Sequence, residues 1–229
     1  MHYAQYKHSD PSLVKSMIET FPFAAVAVNG VDGPLIAQAP MTFREGPTAA
    51  GTLEFHPAKA NPIAAAMVEG APITIFIPGP GAEVSPSWFT STFPDPKADR
   101  SRTAPTYNYL SIVINGRLEL MDDRALQNQI KCLVRASEPS DGWRPEELAP
   151  DLWPAWMALI QGYRLRVDRF DLTAKLTPGD SNADKTGVVA GLRGRAKLDD
   201  LTIARMVENY DGSPESLALA LATIKVTQL

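Results

Sequence analysis

The chain has 229 residues, of which 20 are proline and one is cysteine; 45% are apolar and 21% are charged. Proline at about twice its usual frequency interrupts helices and strands, so the composition excludes a coiled coil, and the apolar content excludes a disordered chain. The single cysteine excludes a disulfide framework and a cysteine zinc site, and a formal charge of −4 gives no overall attraction to nucleic acid.

The first half of the chain predicts a short helix followed by hairpin-linked strands. An Asp-Pro pair at 10–11 caps a helix that ends before Pro22. Two apolar segments at 24–28 and 35–41 are separated by Asn-Gly and Asp-Gly dipeptides, which are typical of a hairpin. The elements expected next are a strand at 51–56, a short helix at 61–68, a buried strand at 72–77 and a tight turn at the Pro-Gly-Pro-Gly run of 78–81.

The second half predicts a long loop at 90–106, then further strands and helices. The expected strands are 108–120 and 163–170, and the expected helices follow Asp122 and span 152–161, 184–192, 198–210 and 215–226. Six or seven short strands, mostly in hairpins, with helices between them and at the ends, indicate a mainly β, α+β fold. A closed or partly closed antiparallel barrel fits this pattern better than a doubly wound parallel sheet.

The chain has few side chains that could catalyse a reaction unaided. Its three histidines are His2, His8 and His56, and the first two lie close to the N-terminus. The sequence has no HExxH, paired CxxC, Walker lysine loop or GxSxG motif, which argues against metalloproteases, zinc-site proteins, P-loop NTPases and hydrolases. An enzyme of this composition would take its chemistry from a cofactor.

The sequence also shows no signal peptide and no apolar run long enough to span a membrane. The N-terminus MHYAQYKHSDPS lacks the basic start and apolar core of a signal peptide. The longest run without Asp, Glu, Lys or Arg is 14 residues, from 103 to 116, against the roughly 20 apolar residues of a spanning helix. We therefore expect a cytoplasmic protein without a membrane span.

Five sequence blocks in register resemble the PaiB-like family of FMN-binding negative transcriptional regulators. They are FPFA at 21–24, AKANP at 58–62, VSPSWF at 84–89, APTYNY at 104–109 and ADKTGVVAGL at 183–192. That family is related to the pyridoxamine-phosphate oxidase-like flavoproteins. The resemblance implies an antiparallel split β-barrel of the FMN-binding type at 1–180, a C-terminal helical segment at 181–229 packed on the barrel or on a dimer partner, and a homodimer that holds FMN at the subunit interface.

The resemblance also implies a set of flavin contacts. Lys59 and the serines suit a phosphate, while Trp88 and Asn108 suit the flavin ring and its polar edge. The residue types leave other roles open: a serine beside proline stabilises a turn, Trp88 could pack in the core or a dimer interface, and Asn108 could bond at a strand start. The implied contacts are His56, Lys59, Asn61, Ser85, Ser87, Trp88, Asn108 and Lys175.

Two functions stay open at this point. The resemblance implies an FMN-dependent oxidoreductase acting on a small molecule. This chain, however, lacks polar or aromatic groups of the family pattern at Ala39, Gly81, Glu83 and Ala174. The alternative is therefore a non-catalytic regulatory or ligand-binding protein on the same fold, with weakened or lost FMN binding, acting on transcription indirectly.

Direct DNA binding is not expected. The basic residues of the C-terminal helices outnumber the nearby acidic ones by five to three, a net of +2 that is ordinary for a solvated surface. No pair of helices shows the pattern of a helix-turn-helix motif. The charges concerned are Lys185, Arg193, Arg195, Lys197 and Arg205, against Asp184, Asp199 and Asp200.

Overall fold

The computed structural model describes residues 3–227, with side chains through residue 224, so His2 lies outside the described residues. The strands are β1 Lys7–His8, β2 Phe23–Gly30, β3 Gly33–Pro40, β4 Thr42–Arg44, β5 Thr52–Phe55, β6 Pro72–Val84, β7 Thr106–Leu120 and β8 Tyr163–Lys175. The α-helices are α1 Ser12–Thr20, α2 Asp123–Ser137, α3 Leu152–Met157, α4 Asn182–Arg195, α5 Asp200–Asn209 and α6 Pro214–Thr227. None of the helices within residues 3–227 is long and apolar enough to cross a membrane.

The strands form one sheet in the order β3-β2-β6-β7-β8-β5-β4, with β1 paired to β8. β2 pairs antiparallel with β3 and β6, and β5 pairs antiparallel with β4 and β8. The β2–β3 hairpin turns between Gly30 and Gly33, and Gly33 has a φ of 134°, which favours glycine. The predicted hairpin and the predicted α+β fold with an antiparallel sheet are therefore confirmed.

Residue contacts divide the chain into two compact units. Among the described residues, the terminal unit contains 3–16, Pro78–Ile112 and 171–227. The central unit contains Met17–Ile77 and Val113–Phe170. Each of the long strands β6, β7 and β8 contributes residues to both units. The predicted boundary at residue 180 stays a prediction.

The terminal unit is built on the packing of α4, α5 and α6. Leu192 and Ile203 are fully buried there. The carboxylate of Asp184, on α4, accepts hydrogen bonds from the main-chain nitrogens of Ser91 and Thr92 at 2.6 and 3.1 Å. Burial would raise the pKa of Asp184, but the hydrogen bonds from Thr92 and Ser91 outweigh it and lower this pKa. The carboxylate thus ties the start of the long 90–105 loop to α4.

The central unit has an apolar core on β5 and β8. Leu53 and Leu165 lie opposite each other in the β5–β8 register, and both are fully buried. The rings of Phe55 and Tyr163 stack with their centroids 5.7 Å apart. The helix α2 begins where the sequence predicts, because the Asp122 side chain accepts a hydrogen bond from Ala125 N at 2.7 Å.

The predicted turn at 78–81 is wrong, since β6 continues through it to Val84. β6 pairs with β2 only at Thr74–Phe76, so beyond that point the described pairings give it only β7 as a neighbouring strand. An edge tolerates proline because a missing N–H breaks no ladder there. The N–H of Gly81 bonds instead to the Asp199 carboxylate, at 3.2 Å.

The predicted helix at 152–161 is shorter, and α3 ends at Met157. The residues that follow pair with another part of the chain. Leu159 O accepts from Lys59 N at 2.8 Å, and Gln161 N donates to Pro57 O at 3.1 Å. This pairing takes the main-chain groups that a longer helix would need, and it fixes the backbone at 57–59.

Gly116 lies on β7 where the main chain of β8 comes close. A Cβ atom at Gly116 would lie 2.0 Å from the carbonyl oxygen of Arg166. We expect Gly116→Ala to lower the free energy of unfolding by about 1–3 kcal/mol or more, because backbone must move. The matched control is Gly194→Ala on α4, where a Cβ meets no described atom within 4 Å and helix propensity should add about 0.5–1 kcal/mol. Urea unfolding measures both; equal stability of the two variants would contradict the close approach.

Candidate functional site

Three predicted flavin contacts, His56, Lys59 and Asn61, lie on one segment of the central unit directly after β5. The side-chain oxygen of Asn61 accepts from Ile63 N at 3.1 Å and caps a 3₁₀ helix at Pro62–Ala65. Lys59 is exposed, and its ammonium has no hydrogen bond or ion pair among the side chains that the structure describes. The segment therefore offers one uncommitted cation on a fixed backbone.

His56 is held by a chain of hydrogen bonds to α2 and β4. The Gln129 amide nitrogen donates to the Thr42 hydroxyl at 3.0 Å, so its oxygen is left to accept from His56 Nδ1 at 2.7 Å. Gln129 is fully buried. Burial lowers the pKa of His56 below its ordinary 6.5, and the bond to Gln129 offsets this only in part. The lowered pKa favours the uncharged ring, and the bond to the Gln129 oxygen places the ring proton on Nδ1.

Three further predicted contacts, Ser85, Ser87 and Trp88, surround a 3₁₀ helix of the terminal unit at Pro86–Trp88. The Ser85 hydroxyl accepts from Ser87 N at 3.2 Å and lies 2.6 Å from the Ser87 hydroxyl. Ser85 therefore caps this short helix, the turn-stabilising role left open for a serine beside proline.

The Trp88 ring packs against α4. A Cβ atom at Gly191 would lie 2.2 Å from the ring, and one at Gly187 would lie 2.0 Å from the Trp88 carbonyl oxygen. The Arg195 guanidinium lies 5.0 Å from the ring centroid, within cation–π range. The two glycines thus form a groove on α4 that admits this tryptophan, whose contact with flavin stays a prediction.

Asn108, on β7 in the terminal unit, is the clearest sign of a ligand among the predicted contacts. The residue is 1% exposed, and neither its amide nitrogen nor its amide oxygen has a hydrogen-bond partner within the described residues. Leaving a buried amide unpaired costs about 1–3 kcal/mol. Buried polar groups without partners are rare, and a bound polar molecule is one explanation.

Lys175 brings a buried cation to the same strand face. Its ammonium donates a short hydrogen bond to Thr106, and Thr106 and Asn108 point to one face of β7 because they are two residues apart. The ammonium also lies 6.0 Å from the Tyr6 ring centroid. Burial lowers the pKa of Lys175, and the charge of Asp180 opposes this shift. The structure thus brings an unpaired amide and a buried cation together in the terminal unit.

The sequence alone does not identify several polar residues that make contacts in these two units. Thr106 and Tyr6 belong to the surroundings of Lys175 only because β7 and the N-terminal segment are close in space. In the central unit, Arg44 and Arg164 both bond to the buried carboxylate of Glu54. The alternation of Arg164 with apolar residues on β8 indicates a half-exposed strand, but not the partner that it reaches.

Residues 1–169 match the family model described as "Putative FMN-binding domain". An uncharacterized protein of Emericella nidulans, AN0679, is 25% identical over 186 residues, which cover 69% of this chain and 72% of the relative. The match to the family model spans most of the chain and includes seven of the eight predicted contacts; Lys175 lies beyond it.

Two solved structures show the same fold. The FAD and heme binding protein from Mycobacterium smegmatis is 18% identical, with a TM-score of 0.53 over 81% of this chain and 80% of its own. The flavocytochrome Anf3 from Azotobacter vinelandii is 19% identical, with a TM-score of 0.59 over 81% and 77%. At these identities the likeness concerns the fold alone, and it confirms the split-barrel prediction.

The hydrogen bond between His56 and Gln129 generates a prediction for the His56 pKa. We expect Gln129→Glu to raise this pKa, because a carboxylate beside Nδ1 favours the charged ring. NMR of the histidine ring protons against pH measures the shift. The matched control is Gln127→Glu on the same helix, which should leave the His56 pKa near the wild-type value. A pKa that is equal in the two variants would contradict the hydrogen-bond chain.

Proposed function

We propose that this chain, which belongs to the family described as "Putative FMN-binding domain", is an FMN-dependent oxidoreductase of the PaiB-like type. Its substrate would be a small molecule. The unpaired, buried amide of Asn108 is the observation that carries the proposal. A pocket that had lost its ligand would not be expected to retain such a group, because an apolar residue there would be more stable.

The residues present fit an FMN molecule. An amide has both a donor and an acceptor, which match the alternating polar edge of the isoalloxazine ring, and Asn108 has both unused. Lys175 supplies a buried positive charge that suits the anionic or electron-rich oxygens of the cofactor. Bound FMN supplies the hydride or electron transfer that the chain's own side chains do not. The roles of Lys59, His56, Asn61 and the two serines stay predictions.

The second candidate is a non-catalytic regulator or ligand-binding protein. It is favoured by the burial of Ala39 and Ala174, which are 2% and 0% exposed and stand where the family pattern has a polar or an aromatic group. Several cations of the C-terminal helices already have internal partners, which supports indirect action rather than DNA binding. The partners are Glu208 for Arg193, Asp200 for Arg195 and the Tyr210 carbonyl for Lys185.

The exposed face of β2, β3 and β6 supports a homodimer. Phe23, Ile36 and Phe76 are 58%, 67% and 41% exposed. The register places Ile36 opposite Ala27 and Phe76 opposite Ala25, so these side chains lie on one face of the sheet. An exposed apolar face of this kind is typical of an interface between subunits. We include a homodimer through this face in the proposal.

The flavin proposal predicts opposite effects on stability and binding for one substitution. We expect Asn108→Leu to raise the unfolding free energy of the flavin-free protein by about 1–3 kcal/mol, because it removes an unpaired buried amide. The same change should weaken FMN binding by about tenfold or more, since the amide contacts are lost. Urea unfolding and the visible spectrum of protein titrated with FMN measure the two effects.

The matched control for this experiment lies on the same strand. Asn115 donates to the Thr74 hydroxyl at 2.7 Å and accepts from Arg169 at 3.1 Å. Asn115→Leu should therefore lower stability and leave FMN affinity unchanged. Unchanged FMN affinity in Asn108→Leu would overturn the assignment. A wild-type protein that stays colourless after reconstitution would overturn the flavin proposal, and steady NAD(P)H oxidation by the reconstituted protein would exclude the non-catalytic candidate.

If the protein is a homodimer through this face, a single charged substitution in the face should change its mass in solution. We expect Ile36→Glu to halve the mass in light scattering at micromolar concentration, because it places a carboxylate in the apolar interface. Val31→Glu is the matched control, since Val31 is fully exposed in the β2–β3 turn and off the strand face. A wild-type monomer, or a dimer that persists in Ile36→Glu, would contradict the proposed interface.

A further inference from the structure

A second candidate site lies wholly within the central unit. A cavity of about 750 Å³ is lined by residues of α2, β4, β5, β7 and β8 and by the loop after β4. This volume is in the range of pockets that bind small molecules. The residues that matter for its chemistry are Arg44, Lys131, Cys132, Arg135, Arg164 and Arg166.

The lining is positively charged in a chain that is negatively charged overall. The five cations face three lining carboxylates, which gives a local net of +2 against −4 for the whole sequence. The carboxylates are those of Glu45, Glu54 and Glu119. A concave surface with one excess sign concentrates ligands of the other sign.

Glu54 accounts for only part of this charge. Its carboxylate is 3% exposed, and it accepts from Arg44 Nε at 2.8 Å and from Arg164 Nη2 at 2.5 Å. The single negative charge of Glu54 thus neutralises only one of the two positive charges of Arg44 and Arg164. Each guanidinium has five N–H donors and uses two of them in described hydrogen bonds, with Cys132 as the second acceptor of Arg44. The remaining donors are prepositioned, since Glu54 fixes both side chains.

The other three lining cations are free of strong partners among the described residues. Arg166 is exposed and has no hydrogen bond or ion pair among the described side chains. The Lys131 ammonium lies 5.6 Å from the Trp153 ring centroid. Arg135 pairs with Glu146, but both side chains are more than half exposed, and such pairs contribute little. These groups can turn toward a ligand at small cost.

We propose that this cavity binds a small molecule with two or more negative charges on phosphate or carboxylate groups, at a site separate from that of FMN. Guanidinium groups match both kinds of anion with paired hydrogen bonds. None of the lining residues is aromatic, which disfavours a flavin ring. Arg44 and Arg164, held by Glu54, bind the anion with their unused donors, and Arg166 and Lys131 add further positive charge.

The single cysteine provides a test in the intact wild-type chain. Cys132 lies in the cavity wall and is the only cysteine of the sequence, so a thiol reagent such as DTNB reports on this site alone. We expect inorganic pyrophosphate or citrate to slow the reaction with saturation. The two anions distinguish phosphate from carboxylate ligands, and sodium chloride at equal ionic strength controls for screening. No saturable protection by either anion, or equal protection by sodium chloride, would overturn the proposal.

Two charge-matched variants locate the effect. Arg166→Ala should lower the affinity for the protecting anion about tenfold, because one charge-assisted contact is lost. Arg205→Ala removes the same charge from an exposed position on α5 in the other unit and should change nothing. Equal weakening in both variants would mean a general charge effect and would overturn the site.

FMN titration separates this proposal from the flavin proposal. Arg166→Ala should bind FMN as the wild type does, while Asn108→Leu should keep the protection of Cys132 by the anion. Loss of FMN binding in Arg166→Ala would identify the cavity with the flavin site and would overturn a separate anion site. Failure of FMN binding in the wild type, with anion protection intact, would affect the flavin proposal alone.

Discussion

Polar groups that the fold buries must find hydrogen-bond partners, and this constraint shapes both units of the molecule. Desolvation of a carboxylate or an amide costs several kcal/mol unless it is paired. Glu54 meets the constraint with two arginines, Gln129 with a threonine and a histidine, and Asp184 with the main chain of a loop. Asn108 does not meet it within the described residues.

These pairings do more than satisfy buried atoms, because each joins segments that are distant in sequence. Glu54 links β4 and β8, and Gln129 links α2 to the end of β5. Removing one partner would leave a buried charge or amide without a hydrogen bond, which would weaken the link between the two segments. The polar clusters are therefore part of the framework that holds the residues of the proposed sites in place.

Local signals in the sequence were sufficient for much of the fold. The hairpin follows from its turn dipeptides, and α2 begins at its aspartate cap, because both depend on a few adjacent residues. The continuation of β6 through residues 78–81 and the position of the end of α3 could not be predicted from adjacent residues. The first depends on where β2 stops pairing, and the second on the pairing of Leu159 with Lys59, which is distant in sequence.

The candidate site shows the same division. The resemblance supplied the residue types, but not the burial of Asn108, the reach of Lys175 to Thr106, or the packing of Trp88 into a glycine groove of α4. Each of these needs the path of a second strand or helix. The basic cavity of the central unit was out of reach as well, since its cations come from three segments that no sequence motif connects.

The part of β6 that runs through the Pro-Gly-Pro-Gly segment has a consequence for the protein in a crowded cell. An unpaired strand edge can recruit a strand from another molecule and start an aggregate. Two prolines remove donors from this stretch, and Asp199 occupies the donor of Gly81 with a negative charge. A foreign strand would meet an interrupted ladder and a carboxylate. The residues that first suggest a break in the strand thus protect it from the wrong partner.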